Sequence, residues 1–197
     1  MPARRPRKPT PERIVDAAIA RAEEIGWSQI RLFDVADRLG VELAELRRHY
    51  RDLDAVADAW LARADRAMLA ARDRPGFAKL PPRERIRRAL LAFLEALAPH
   101  RRVTGEIMRA KLYFGHPHHN VALVLWLSRT VQWWREAANL AGEDRRRRVE
   151  EIGLSALFVA TILVWLRDDS ANQERTAEFL DARLAQAERA IGRCFSA

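Results

Sequence analysis

From Ile14 to Ile191 the apolar side chains return every three or four positions, and a glycine or proline interrupts most of the runs. That interval is the turn of an α-helix and not the alternation of a strand, so each run predicts one helix with an apolar face. The first face holds Ile14, Ala17, Ala18, Ala22 and Ile25. Thr10 offers a capping oxygen before it, Pro11 suits the first helical position, and Gly26 suits the exit. The spacing therefore predicts a helix over residues 11–25. Leu32, Val35, Ala36 and Leu39 form a second short face closed by Gly40, and Val41, Leu43, Ala44, Leu46 and Tyr50 form a third. Helix, glycine turn, helix is the arrangement in which a second helix enters the major groove of DNA, although short apolar helices joined by glycine also occur without that role.

Beyond Asp52 the runs lengthen. They predict helices over residues 54–72, 83–98, 101–113, 118–139, 145–167 and 171–194, nine in all. Ala, Leu, Arg and Glu dominate while glycine is scarce, a composition that favours helix, so an all-α fold without strands is expected. In 145–167, Val149, Ile152, Leu154, Leu157, Phe158, Ile162, Leu163, Trp165 and Leu166 cover more than one face. Phe179, Leu180, Leu184, Ala187 and Ile191 follow on the last helix. The pair predicts half of a four-helix interface in a homodimer; burial within one chain is the other account of the same pattern.

Thirty-five Lys and Arg against 27 Asp and Glu leave a net charge of +8, which suits a polyanion such as nucleic acid or an anionic membrane surface. The excess at the start comes from Arg4, Arg5, Arg7 and Lys8, since residues 10–51 carry seven basic and eight acidic side chains. The proline-broken segment before Thr10 is not expected to be helical. Cys194 stands alone, so no intrachain disulfide forms and a cytoplasmic setting is expected. No apolar leader precedes the first helix, and Leu154 to Leu166 falls short of the roughly 20 residues of a membrane span.

The residues Arg13-Ile-Val-Asp-Ala-Ala18, Gly26, Asp34-Val-Ala36, Gly40-Val41 and Leu46-Arg-Arg-His-Tyr50 resemble the reading head of the TetR family of transcription regulators. The resemblance implies a DNA-binding domain over residues 1–52 and a ligand-binding and dimerisation domain over 53–197. It further implies a recognition helix from Glu42 to His49, a palindromic double-stranded DNA operator, and control by a small ligand, as in a repressor. Carried over by position, its DNA contacts fall on Arg31, Glu42, Leu43, Ala44, Arg47, Arg48, His49, Tyr50 and Arg51, beside the basic arm Arg4, Arg5, Arg7 and Lys8. The chain departs from the family's pattern at Leu53, where lysine is common, and at Arg31, where a hydroxyl is favoured. Glu42 and Glu45 are unfavourable opposite phosphate and useful only against a base donor such as cytosine N4.

A second resemblance runs through Glu95-Ala-Leu-Ala-Pro-His-Arg101, Trp133-Trp134, Ala160-Thr161, Trp165-Leu-Arg-Asp-Asp-Ser170, Glu174-Arg-Thr176 and Phe179-Leu-Asp-Ala-Arg-Leu184, with Gly26-Trp27-Ser28 in the head. It is to the lipid-binding accessory proteins of ubiquinone biosynthesis, which share the TetR fold and imply an isoprenoid lipid and a partner enzyme. Either resemblance implies an apolar small molecule or lipid in the body. Candidate lining residues are Phe93, Leu97, Met108, Leu112, Trp126, Leu127, Thr130, Trp134, Phe158 and Trp165; ordinary core packing is the alternative role for aromatic residues at helical spacing.

Little points to catalysis. There is no Gly-x-Ser-x-Gly elbow or phosphate-cradling glycine loop, so no enzyme and no cofactor are expected. His116, His118 and His119 sit in a Gly-His-Pro-His-His loop without nearby cysteine or carboxylate, and no metal is expected there. Glu150-Glu151, Asp168-Asp169 and the run Arg145 to Arg148 read as solvated surface.

Overall fold

The computed structural model describes residues 9–111, 117–140 and 144–195. Among them are nine α-helices and no strand: α1 (Pro11–Ile25), α2 (Leu32–Leu39), α3 (Leu43–Arg47), α4 (Leu53–Ala70), α5 (Pro82–Leu97), α6 (Arg101–Lys111), α7 (Pro117–Ala137), α8 (Asp144–Trp165) and α9 (Glu174–Phe195). The all-α expectation holds, with helix ends within a few residues of those the spacing predicts. The third helix differs most: α3 is one turn and a half, and His49 and Tyr50 both donate backbone N–H groups to the Leu46 carbonyl as the chain leaves it.

Packing divides the described residues into two units, one within Met1–Arg63 and Pro99–Tyr113, the other within Ala64–Ala98 and Phe114–Ala197. The first unit thus includes α6 and the first part of α4, and the packing boundary lies inside α4. Periodicity along the chain could not reveal this, because α6 is separated from α1 by seventy-five residues of sequence. Met108, one of the candidate lining residues, is buried on α6 within the first unit.

The body is organised around Phe158 on α8. Its ring meets Phe93 of α5 at 5.3 Å, Trp126 of α7 at 6.0 Å and Trp134 of α7 at 6.1 Å, each edge to face. Such pairs add to the stabilisation from burial, because the positive ring edge meets the negative face. Trp134 also donates its indole N–H to the Ile86 carbonyl at 2.9 Å. Ala71, Phe77, Ala92 and Leu80 form a smaller cluster where α4 ends against α5.

Two acidic sites expected at the surface are structural instead. Arg135 on α7 is buried, reaching Glu150 of α8 at 3.1 Å and the Arg147 carbonyl at 3.2 Å. Asp168, after α8, is 3% exposed. Its carboxylate accepts the backbone N–H groups of Ser170 at 2.9 Å and Thr176 at 2.8 Å, together with both hydroxyls. Burial pushes this carboxyl up, but the four hydrogen bonds outweigh burial and hold it well below the usual carboxylate range. Asp168 thereby ties the end of α8 to the start of α9.

Two stability changes follow. Asp168→Ala leaves buried donors unmatched and is expected to cost about 3 kcal/mol at neutral pH in denaturant unfolding. Because the folded carboxyl titrates below its unfolded value near ~3.9, its contribution is complete above that pH and is lost as the pH falls through the acid range. Asp168→Asn should therefore flatten the acid limb of the stability profile. Arg135→Ala removes the buried cation beside Glu150 and is expected to cost about 3 kcal/mol.

Candidate nucleic-acid interface

The head begins with a well-made helix entry. The Thr10 hydroxyl accepts the Arg13 N–H at 3.3 Å, and Pro11 and Glu12 follow in the first turn. Ile14, Val15, Ala17, Ala18, Ile19 and Ala22 are buried, so α1 sits along the core of this unit. It ends at Gly26, whose φ of 88° and ψ of 147° suit glycine alone.

What fixes that end comes from α6. Arg102 donates to the Ala22 carbonyl at 3.1 Å, the Glu23 carbonyl at 2.6 Å and the Glu23 carboxylate at 2.9 Å. These are terminal carbonyls that a helix leaves without internal partners. The other amino group of Arg102 holds Glu106 at 2.7 Å, and Glu106 in turn accepts the Trp27 N–H at 2.6 Å. On α4, Trp60 donates its indole N–H to the Thr104 hydroxyl at 3.0 Å, Lys111 pairs with Asp58, and Arg63 pairs with Glu12 and Asp16. Arg102 and Glu106 were not legible as members of the head, since nothing in their local spacing marks a partner so distant.

Between α2 and α3 the chain turns at Gly40, in the left-handed conformation with φ 65° and ψ 40°. The Gly40 N–H bonds to Asp37 and the Val41 N–H reaches back to Ala36, a closure that places glycine at the left-handed position. At the other end of α2, the Asp34 carboxylate accepts the Arg31 N–H at 2.8 Å and pairs with its guanidinium at 3.5 Å. That backbone bond holds the Asp34 carboxyl below its ordinary range. Arg31 thus serves where a hydroxyl cap was expected, because Asp34 supplies half of a capping box.

Turned through this glycine, α3 buries Leu46 and exposes Glu42, Leu43, Ala44, Arg47, Arg48 and His49. Glu42 stands at the N-cap without a side-chain bond. Tyr50 is half-buried, and its hydroxyl donates to the Pro11 carbonyl at 3.3 Å, so it braces the end of α3 against the start of α1. Arg48 is paired with Glu45 at 2.8 Å and Arg51 with Asp52 at 3.0 Å. Arg47 makes no ion pair with any described residue. Exposed pairs of this kind contribute little to stability, so exchanging a carboxylate for a phosphate costs little. Phe33, on the first turn of α2, is 58% exposed although large and apolar. It falls off the Leu32, Val35, Ala36, Leu39 stripe, and that was the signal available in the sequence. Arg4, Arg5, Arg7 and Lys8 lie outside the described residues.

In the body unit, Phe93, Leu97, Thr130, Trp134, Phe158 and Trp165 are buried, while Trp126 and Leu127 are half-buried. Phe93, Trp126, Trp134 and Phe158 are brought together in the ring cluster, whereas the Trp165 indole N–H is engaged by Gln173 in the α8–α9 connection. Leu112 and His116 lie outside the described residues, as do the side chains of His118 and His119. Among the described residues no group of His, Cys, Asp or Glu is arranged to hold a metal ion, and no helix is long and apolar enough to cross a membrane.

Breaking the α6 clasp gives a local test. Glu106→Ala leaves the Trp27 amide without its acceptor, and hydrogen exchange at Trp27 should accelerate by about one to two orders of magnitude. Exchange at Ala89 to Leu94 in α5 should be unchanged.

Comparison with solved structures finds the same fold in a TetR transcriptional regulator from Nitrosomonas europaea, at 38% identity and a TM-score of 0.81 over 90% of this chain and 97% of that one. A TetR transcriptional regulator from Rhodococcus sp. matches at 18% identity and a TM-score of 0.61, covering 88% of this chain and 94% of its own. The TetR family transcriptional regulator PfmR from Thermus thermophilus matches at 17% identity and a TM-score of 0.56, covering 88% and 97%. The family model described as COQ9 matches residues 146–191, across α8 and most of α9. No curated protein shows a significant match.

Proposed function

Because the chain belongs to the TetR family of transcriptional regulators, we propose that it is a ligand-controlled repressor that binds an operator as a homodimer. Residues 1–52 carry DNA reading in this proposal, and residues 53–197 carry ligand binding and dimerisation. The observation that carries the DNA reading is the outward face of α3, where Leu43, Ala44, Arg47, Arg48 and His49 are exposed on a helix whose one buried residue is Leu46. Arg47 is available for phosphate or guanine, and Leu43 for a thymine methyl group. Glu45 holds Arg48 until DNA offers a better acceptor. Four cations in the arm add counterion release, worth a salt slope of about four from that segment.

The homodimer reading rests on α8. Leu154, Phe158, Ile162 and Trp165 are buried in the body, yet Val149, Ile152, Val159 and Leu163 are exposed, with Ile152 at 73%. An apolar stripe three and four residues apart on the outward side of a helix suits a twofold mate, with α9 completing a four-helix contact. Control by an apolar ligand would pass through α4, the continuous helix whose first part belongs to the head and whose last turns belong to the body. Two readers on one face of DNA must stand about 34 to 36 Å apart, so small changes in their spacing alter operator fit.

A second reading is a TetR-fold lipid-binding accessory protein, supported by the COQ9 match over residues 146–191. Fluorescence anisotropy against the DNA flanking its own gene, over a salt series, separates the two. Nanomolar binding that discriminates against random DNA is expected of the regulator; weak, sequence-blind binding would favour the lipid reading. Arg47→Ala should lower operator affinity about tenfold or more without changing the assembly state. Ile152→Glu should give a monomer by light scattering at micromolar concentration while retaining helical content.

A further inference from the structure

Four charged side chains lie between Glu42 and Arg48, and they divide into two kinds. Glu45 is half-buried and holds the Arg48 guanidinium at 2.8 Å, so these two answer each other one turn apart on α3. Glu42 and Arg47 are exposed and make no ion pair with any described residue. An acceptor in the position of Glu42 commonly bonds an amide of the helix that follows, yet the Glu42 carboxylate accepts none from α3. It is left as a free acceptor beside the exposed Leu43 and Ala44, whose side chains carry no polar atom.

In a helix-turn-helix head the opening residues of the second helix are the ones that reach base edges. A carboxylate there that faces solvent repels every phosphate alike and discriminates nothing. One that faces the groove needs a donor, and only cytosine N4 and adenine N6 present N–H groups in the major groove; guanine and thymine present acceptors. The adenine donor lies beside the N7 acceptor of the same base, which repels a carboxylate. The cytosine donor has a C–H beside it on the same ring. A carboxylate therefore prefers cytosine, and Glu42 has no bond within the protein to give up in order to meet it.

Resting on the operator-binding reading above, we propose that Glu42 is the residue that selects cytosine in each operator half-site, accepting the N4 amino group in the major groove. Its contribution is selectivity: any other base at that position leaves the carboxylate facing an acceptor or no partner. Attraction to the duplex comes from Arg47, the free cation of the same helix. In a palindromic operator the requirement appears once in each half.

The test is a selection from a randomised duplex pool with the full-length protein and with Glu42→Ala and Glu42→Gln, followed by fluorescence anisotropy on the enriched duplexes. The wild type should enrich a palindrome with a cytosine in each half-site that Glu42→Ala no longer requires, the other positions staying as they were. Replacing that cytosine by thymine should cost the wild type about tenfold in affinity and Glu42→Ala less than about twofold. Glu42→Gln should move the preference toward adenine, whose N6 and N7 a carboxamide matches. Both variants should melt as the wild type does, because the Glu42 side chain caps no amide of α3. A gain in affinity by Glu42→Ala that is equal for every sequence, or an unchanged preference at every position, overturns the cytosine assignment but leaves operator reading in place. Enrichment of no sequence by the wild type overturns operator reading and this proposal together.

Discussion

Arg102 is the residue on which the head depends. A guanidinium presents its donors in a fixed planar fork, and here the fork is spent on two helix-terminal carbonyls and two carboxylates. Without it, the last carbonyls of α1 and the Glu23 and Glu106 carboxylates would lose the cation that gathers them. Glu106 extends the same device to the Trp27 amide, so the turn that follows α1 is held by side chains of α6. The direction in which the chain leaves α1, and with it the placement of α2 and α3, follows from these bonds and from the backbone that Gly26 permits.

The α3 surface is divided between packing and exposure. Leu46 faces the interior and Tyr50 is bonded to Pro11, so the C-terminal end of α3 is anchored while its first turn is presented outward. Almost every cation near it has an acidic neighbour, at Arg31, Arg38, Arg48 and Arg51. Such pairing keeps the free head from being a uniformly cationic surface that would adhere to any polyanion.

Much of this was legible in the sequence, and the reason is local. Helix positions follow from apolar residues three and four apart, and Gly40 marked the turn because only a residue at ease with positive φ closes α2 as observed. The unusual breadth of the apolar pattern in α8 was visible too, and it corresponds to a helix with Phe158 and Trp165 inward and Ile152 outward. What escaped the sequence depends on partners far along the chain. Asp168 read as solvated because a carboxylate ordinarily is; its burial is possible only because Ser170 and Thr176 supply donors in one place. Arg135 and Glu150 are a second such case, and the membership of Met108 and Arg102 in the head is a third.

That the head is assembled from two stretches of chain has a consequence for its birth on the ribosome. When residue 63 has been added, α1, α2 and α3 exist as sequence, but α6, which supplies Arg102 and Glu106, has not been translated. The first unit therefore cannot be completed as the first independent product of synthesis. It waits for α5 to be made and for the chain to return, a long-range closure of the kind that slows folding. A nascent chain stalled within the body's first segment lacks Arg102 and Glu106, and with them every bond from α6 that holds the end of α1 and the Trp27 amide.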